Sequence, residues 1–142
     1  MAAPSTPDKH RLLIVEDNND IADLLVIRLG LAGYLTFVAR NVDQALTAIY
    51  TFRPTGVLLD IGLPDGDGFQ VLKAFKNAIK TRDIPVLMLT ARQQMTDIRK
   101  ALDMGAQDYV TKPFDDQKLL QRVARLLGLP IPKLRTEKTM LR

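Results

Sequence analysis

Short apolar runs alternate with amphipathic stretches along this chain, and the alternation repeats five times. Arg11–Val15 (RLLIV) is a short run with almost no polar interruption, as expected of a strand covered on both faces. Asp20 to about Leu31 follows, with Ile21, Leu24, Leu25 and Leu29 at helical spacing and Gly33 as its stop. Tyr34–Ala39 reads as a second strand, and Asn41 caps a helix running to Phe52 with Ala45, Leu46 and Ile49 on its apolar face. Pro54 and Gly56 break the chain before Val57–Ile61 (VLLDI), a third apolar run with one charge near its end. The turn-rich loop GLPDGDG spans Gly62–Gly68. Phe69 to about Ile79 is then expected as a helix that turns Val71, Leu72 and Phe75 inward. Pro85–Thr90 is the fourth expected strand, and Thr96 to about Met104 is a helix ended by Gly105. Asp108–Thr111 is a short fifth strand. Asp115 or Asp116 caps a last helix with Leu119, Leu120, Val123, Leu126 and Leu127 on one face, and Gly128 ends it.

Strict β/α alternation predicts a parallel sheet with helices on both faces. With right-handed crossovers, an α/β doubly wound fold follows. Residues 1–9 are small, polar and Pro-containing and are expected to be a flexible segment. Residues 10–129 form the domain, and 130–142 read as a basic linker or tail. No internal repeat is present.

Composition narrows the class. The chain has 142 residues, 46% hydrophobic and 25% charged, and no cysteine, so disulfides and thiol-based metal or redox sites are excluded. No apolar run is long enough to span a bilayer and no secretory signal is visible, so a cytoplasmic protein is expected. The net charge of +4 invites a nucleic-acid reading, but its placement argues against one. Between Leu12 and Pro132 there are fourteen basic and fourteen acidic residues, so the excess lies in the two ends. A neutral domain with solvated basic tails is expected.

In open α/β sheets, ligands bind beyond the carboxyl ends of the strands. Those ends carry Glu16 and Asp17 after strand one, Asp60 near the end of strand three, Thr90 on strand four and Lys112 after strand five. Three carboxylates gathered in one crevice repel unless protons or a cation join them. With no soft ligand nearby, a hard cation is favoured, and Mg²⁺ accepts a few carboxylates while leaving room for a phosphate oxygen. An Asp carboxylate can serve as a covalent nucleophile toward phosphorus, a reaction that needs positioning and charge neutralisation above all. Lys112 would pair with the phosphate and the Thr90 hydroxyl would hydrogen-bond to it.

LLIVEDN (12–18), LLDIGLPDGDG (58–68), LTA (89–91) and YVTKPF (109–114) together resemble the motifs of response-regulator receiver domains of two-component signal transduction. The resemblance runs from about Arg11 to Leu127. It implies a flavodoxin-like five-stranded sheet in the order 2-1-3-4-5, the order given for this class with a receiver protein as its own example. It also implies that Asp60 is the phosphoacceptor, and that Glu16, Asp17, Asp60 and the backbone carbonyl of Gly62 hold Mg²⁺. Thr90 and Lys112 would contact the phosphoryl group, Tyr109 would be the switch aromatic, and the Lys112–Pro113 bond would be cis. The donor would be a histidine kinase or a histidine phosphotransfer protein. The output surface would be the face of the fourth helix, fifth strand and last helix, on which some members form homodimers. Gly62 and Arg92, each second after a site residue, hold positions that tune phosphate lifetime in the family.

Each residue also has a plainer reading. Glu16-Asp17 alone would be a helix-entry pair, Asp60 a strand-end cap, Thr90 a strand former and Lys112 a solvated loop lysine. Their joint placement favours the site. Tyr109 is read equally well as a half-buried sheet residue. Asp65-Gly66-Asp67-Gly68 lacks the residue that a calcium loop needs where Phe69 stands. His10, the only histidine, is read as inert, at the edge of the flexible start.

A signalling switch that is no metabolic enzyme is thus the leading expectation. A haloacid-dehalogenase-type phosphatase would need a second Asp where Gly62 stands, and a flavin carrier would need a phosphate-cradling loop where Glu16-Asp17 stand. A phosphate-independent interaction module is the fourth class. No effector domain fits after Gly128, so the protein is expected either to act through its own surface or to be a fragment of a larger regulator.

Overall fold

The computed structural model describes residues 10–63, 68–91 and 95–132. Five parallel strands alternate with five helices: β1 (Arg11–Val15), α1 (Asn19–Leu31), β2 (Leu35–Ala39), α2 (Val42–Thr51), β3 (Gly56–Asp60), α3 (Gly68–Asn77), β4 (Val86–Ala91), α4 (Met95–Asp103), β5 (Asp108–Lys112) and α5 (Asp116–Leu126). The five strands form one parallel sheet, as expected from the alternation, and its order is β2-β1-β3-β4-β5, as the resemblance implies.

The sheet divides the core in two. On one face Leu13, Val15, Leu59 and Met88 pack against Val42, Ala45 and Ile49 of α2 and Val71, Leu72 and Phe75 of α3. On the other, Leu12, Ile14, Leu58 and Leu87 pack against Leu25 and Leu29 of α1 and Leu119 and Val123 of α5. β3 is buried along its whole length, which explains why strands covered on both faces read as unbroken apolar runs.

Local signals set the boundaries. The side chains of Asn18, Asn41 and Asp115 accept hydrogen bonds from the amides of Ile21, Gln44 and Lys118, so each caps a helix. Gly33, Gly105 and Gly128 adopt positive φ where helices end. α3 stops at Asn77, two residues short of the expected end, and Ile79 lies beyond it, 79% exposed. Tyr34 precedes β2 instead of opening it, because its amide still closes α1 by donating to the Leu29 carbonyl.

His10 departs from expectation. It is 2% exposed, and its Nδ1 lies 2.9 Å from Thr55 Oγ1. Thr55 Oγ1 also accepts from the Arg11 amide and donates to the Arg11 carbonyl, so this histidine belongs to the packed start of the sheet.

Candidate functional site

The carboxyl ends of β1, β3, β4 and β5 meet at one edge of the sheet. Asp60, the last residue of β3, stands opposite Leu89. Thr90 and Ala91, at the end of β4, pair with Thr111 and Lys112. Parallel register therefore brings residues from four chain segments to one level. Asp60 is 5% exposed, Glu16 and Thr90 are fully buried, and Asp17 is exposed.

One carboxylate oxygen from each of Glu16, Asp17 and Asp60 lies within 4.8 Å of the others. Lys112 Nζ sits 2.7 Å from Glu16 Oε1 and 3.3 Å from Asp60 Oδ1. The amide of Asn18 donates to Glu16 Oε2 at 3.2 Å, and the amide of Gly62 donates to Asp60 Oδ1 at 3.1 Å. Burial is the main force on Glu16; with the nearby Asp60 charge it outweighs the Lys112 ammonium, and the carboxyl is pushed up to about 7. One ammonium thus pairs with two of the three clustered carboxylates, and the cluster is left short of positive charge. A hard cation would relieve that deficit, and an all-oxygen donor set of this size fits Mg²⁺.

Thr90 Oγ1 donates to the Ala91 carbonyl at 3.1 Å. The Lys112–Pro113 bond is cis. Tyr109 is half-buried on β5, with the Arg122 guanidinium carbon 5.5 Å from its ring centroid. Arg122 also donates to the Tyr109 carbonyl and pairs with Asp108, both at 2.8 Å, and Arg125 pairs with Asp108 at 2.5 Å. α5 is thereby tied to the start of β5. Arg92, Asp65 and Asp67 lie outside the described residues.

Two glycines contribute in ways that the sequence pattern did not reveal. Gly62 supplies an amide to Asp60, in addition to the carbonyl and the absent side chain to which the resemblance gives a role. Gly68 packs directly beneath the site: a Cβ there would stand 2.3 Å from the Asp60 carbonyl oxygen, and its amide donates to Ile61 O at 2.6 Å. A glycine closing a turn-rich loop at a helix start was the available signal.

Residues 12–124 match the family model described as "Response regulator receiver domain". Among curated proteins, the chain is 42% identical over 123 residues to "DNA-binding dual master transcriptional regulator RpaA" of Synechocystis sp., covering 82% of this chain and 48% of that protein. It is 38% identical over 117 residues to "Phosphate regulon transcriptional regulatory protein PhoB" of Escherichia coli, covering 82% of this chain and 51% of the relative. The chain thus spans about half the length of these curated relatives. Among solved structures, a putative response regulator from Chloroflexus aurantiacus superposes with a TM-score of 0.81 at 36% identity, over 84% of this chain and 98% of that one. With its fold, its acidic cluster and these relatives in agreement, the chain belongs to the response-regulator receiver domain family, the phosphorylation-dependent switches of two-component signalling.

Proposed function

We propose that this chain works as a switch whose phosphoryl group is carried on Asp60, delivered by a phosphohistidine of a histidine kinase or of a histidine phosphotransfer protein. The observation that carries the reading is the meeting of Glu16, Asp17 and Asp60 within 4.8 Å at the sheet edge that also holds Lys112. An Asp60 oxygen would attack phosphorus, the P–N bond to the donor would break, and a P–O bond would form. Glu16, Asp17, Asp60 and the Gly62 carbonyl would hold Mg²⁺, which when bound supplies positive charge for the phosphoryl oxygens. The Gly62 amide orients the Asp60 carboxylate. Lys112 would turn its ammonium from the carboxylates to the phosphoryl oxygens, and the Thr90 hydroxyl would donate to another.

Lys112, Thr111 and Tyr109 share one strand, and Arg122 connects that strand to α5. A change at the phosphoryl group would bias two pre-existing arrangements of the α4-β5-α5 face, with Thr90 and Tyr109 as the linkage. That face would meet an output partner, an attached domain or a second copy. We assign residues 10–129 to the receiver domain and 130–142 to a linker or tail, and place the protein in the cytoplasm. RpaA is named as DNA-binding; we assign no direct nucleic-acid contact to the domain described here. The domain catalyses its own phosphorylation and dephosphorylation and turns over no metabolite.

The test is a titration with Mg²⁺, with and without beryllofluoride as phosphoryl mimic, followed by amide chemical shifts. Shifts at Asp17, Asp60, Thr90 and Lys112 that spread to Tyr109 and α5 are expected. An unchanged spectrum would reduce the protein to an interaction module that has lost its chemistry.

A further inference from the structure

The pole of the sheet opposite the acidic cluster carries a second set of functional groups. α2 ends at Thr51, with Phe52 as its cap, and the chain reverses at Arg53 with φ of +57°. The other positive-φ residues among those described are glycines, Gly33, Gly105 and Gly128, each just past the end of a helix. A side chain at such a position crowds its own backbone, so glycine is the ordinary choice and an arginine is strained. Pro54 disfavours the right-handed helical region for the residue before it, but an extended backbone would satisfy that constraint without a positive φ.

Arg53 is not needed to seal the helix. Arg11 Nε donates to the Phe52 carbonyl at 2.8 Å and its guanidinium lies 4.5 Å from the Phe52 ring centroid, so a cation from β1 already serves that end of α2. The Arg53 guanidinium makes no hydrogen bond or ion pair with any described residue, and neither does Lys80. Both line one open cavity of about 570 Å³. Its walls include the apolar side chains of Ile49, Pro54 and Ile84 and the ring of Tyr50, which is 54% exposed. No acidic residue is among the lining groups.

Strain kept at a residue with no structural partner points to use of its side chain. Two unpaired cations suit phosphate oxygens, and an exposed aromatic ring beside an apolar wall suits a flat heterocycle. The volume falls in the small-molecule range. We propose that the cavity bounded by Tyr50, Arg53 and Lys80 binds a nucleotide, with its phosphates on Arg53 and Lys80 and its base against Tyr50. The site lies at the amino ends of β3 and β4, away from Asp60, and does not depend on the phosphorylation reading.

The test uses the full chain and ADP as probe, with amide shifts and calorimetry as readouts. ADP should shift residues around Tyr50, Arg53 and Lys80 and leave Asp17 and Lys112 unmoved in the absence of Mg²⁺. Arg53→Gly is the informative variant, because it relieves the strain while removing the cation. It should raise the thermal midpoint by several degrees and weaken ADP by about tenfold or more. Tyr50→Leu should weaken ADP and leave pyrophosphate binding unchanged. No localised shift at millimolar ADP, full affinity in the folded Arg53→Gly variant, or pyrophosphate binding as tight as ADP would each overturn the proposal.

Discussion

Lys112 lies nearer to Glu16 than to Asp60, 2.7 Å against 3.3 Å, so the ammonium serves Glu16 more closely than the proposed phosphoacceptor. Glu16 is fully buried, and Lys112 is the cation that compensates it. Lys112→Ala should therefore harm the resting domain as well as the chemistry. Leaving a buried carboxylate without its partner costs on the order of 3 kcal/mol. Urea unfolding at about pH 9, where Glu16 is charged, should show that loss against the wild type at the same pH, and saturating Mg²⁺ should restore much of it. An unchanged unfolding midpoint would mean that the pair adds nothing.

The same burial gives the domain a pH dependence. The folded state raises Glu16 from 4.5 to about 7, so it favours the neutral acid. The stabilisation from this group is fully present below the unfolded value and is lost as pH rises through about 7. Metal-free protein should thus lose stability between about pH 5 and 7.5, whereas Glu16→Gln should lack that slope. Mg²⁺ should flatten the wild-type curve by favouring the charged form. Identical slopes for both proteins would contradict the raised value.

Gly68 offers a steric test. A methyl group there would press 2.3 Å from the Asp60 carbonyl oxygen and 2.8 Å from Ile61 Cα, both backbone atoms with little room to move. Gly68→Ala should cost about 1–3 kcal/mol and displace the end of β3. Labelling by a small phosphodonor should fall well beyond what the lost stability explains. If the rate is kept, the close approach does not position Asp60.

Thr55→Val tests the opposite end of the sheet. The valine keeps the shape but removes the hydroxyl that serves the Arg11 amide, the Arg11 carbonyl and His10 Nδ1. A loss of about 1–3 kcal/mol in denaturant unfolding is expected, with labelling of Asp60 unaltered. Slower labelling in the folded variant would show that the two ends communicate.

Asp60→Asn removes the proposed nucleophile with little change in shape. Acetyl phosphate or phosphoramidate should no longer label the protein, while circular dichroism stays native. Persistent labelling would move the phosphoacceptor elsewhere.

Much of this was legible along the chain because buried parallel strands and amphipathic helices follow different periods. The apolar runs at Leu12, Val57 and Val86 located three strands, and the stops at Gly33, Gly105 and Gly128 fell where helices end. The end of α3 was harder, since Ile79 continues the helical spacing into solvent. The burial of His10 was not legible because a residue just before a strand has no pattern to reveal it; its hydroxyl partner lies 45 positions away. Spacing likewise could gather Glu16, Asp60 and Lys112 at one edge but not rank their distances, which depend on side-chain reach. The left-handed Arg53 carried no signal, for arginine does not ordinarily occupy such a turn.

The sheet order has a mechanical corollary. Asp60 ends β3, which is laced to β1 on one side and β4 on the other, whereas Lys112 ends β5, an edge strand with a ladder to β4 alone. A pull on Asp60 is carried into a strand held by two rows of hydrogen bonds, the row to β1 ending at Leu59, and the same pull on Lys112 into a strand held by one row and the Arg122 tether. The two sides of the site therefore differ in stiffness. A group gripped by both residues would find β3 the firmer support, and more of the displacement would fall on the edge strand.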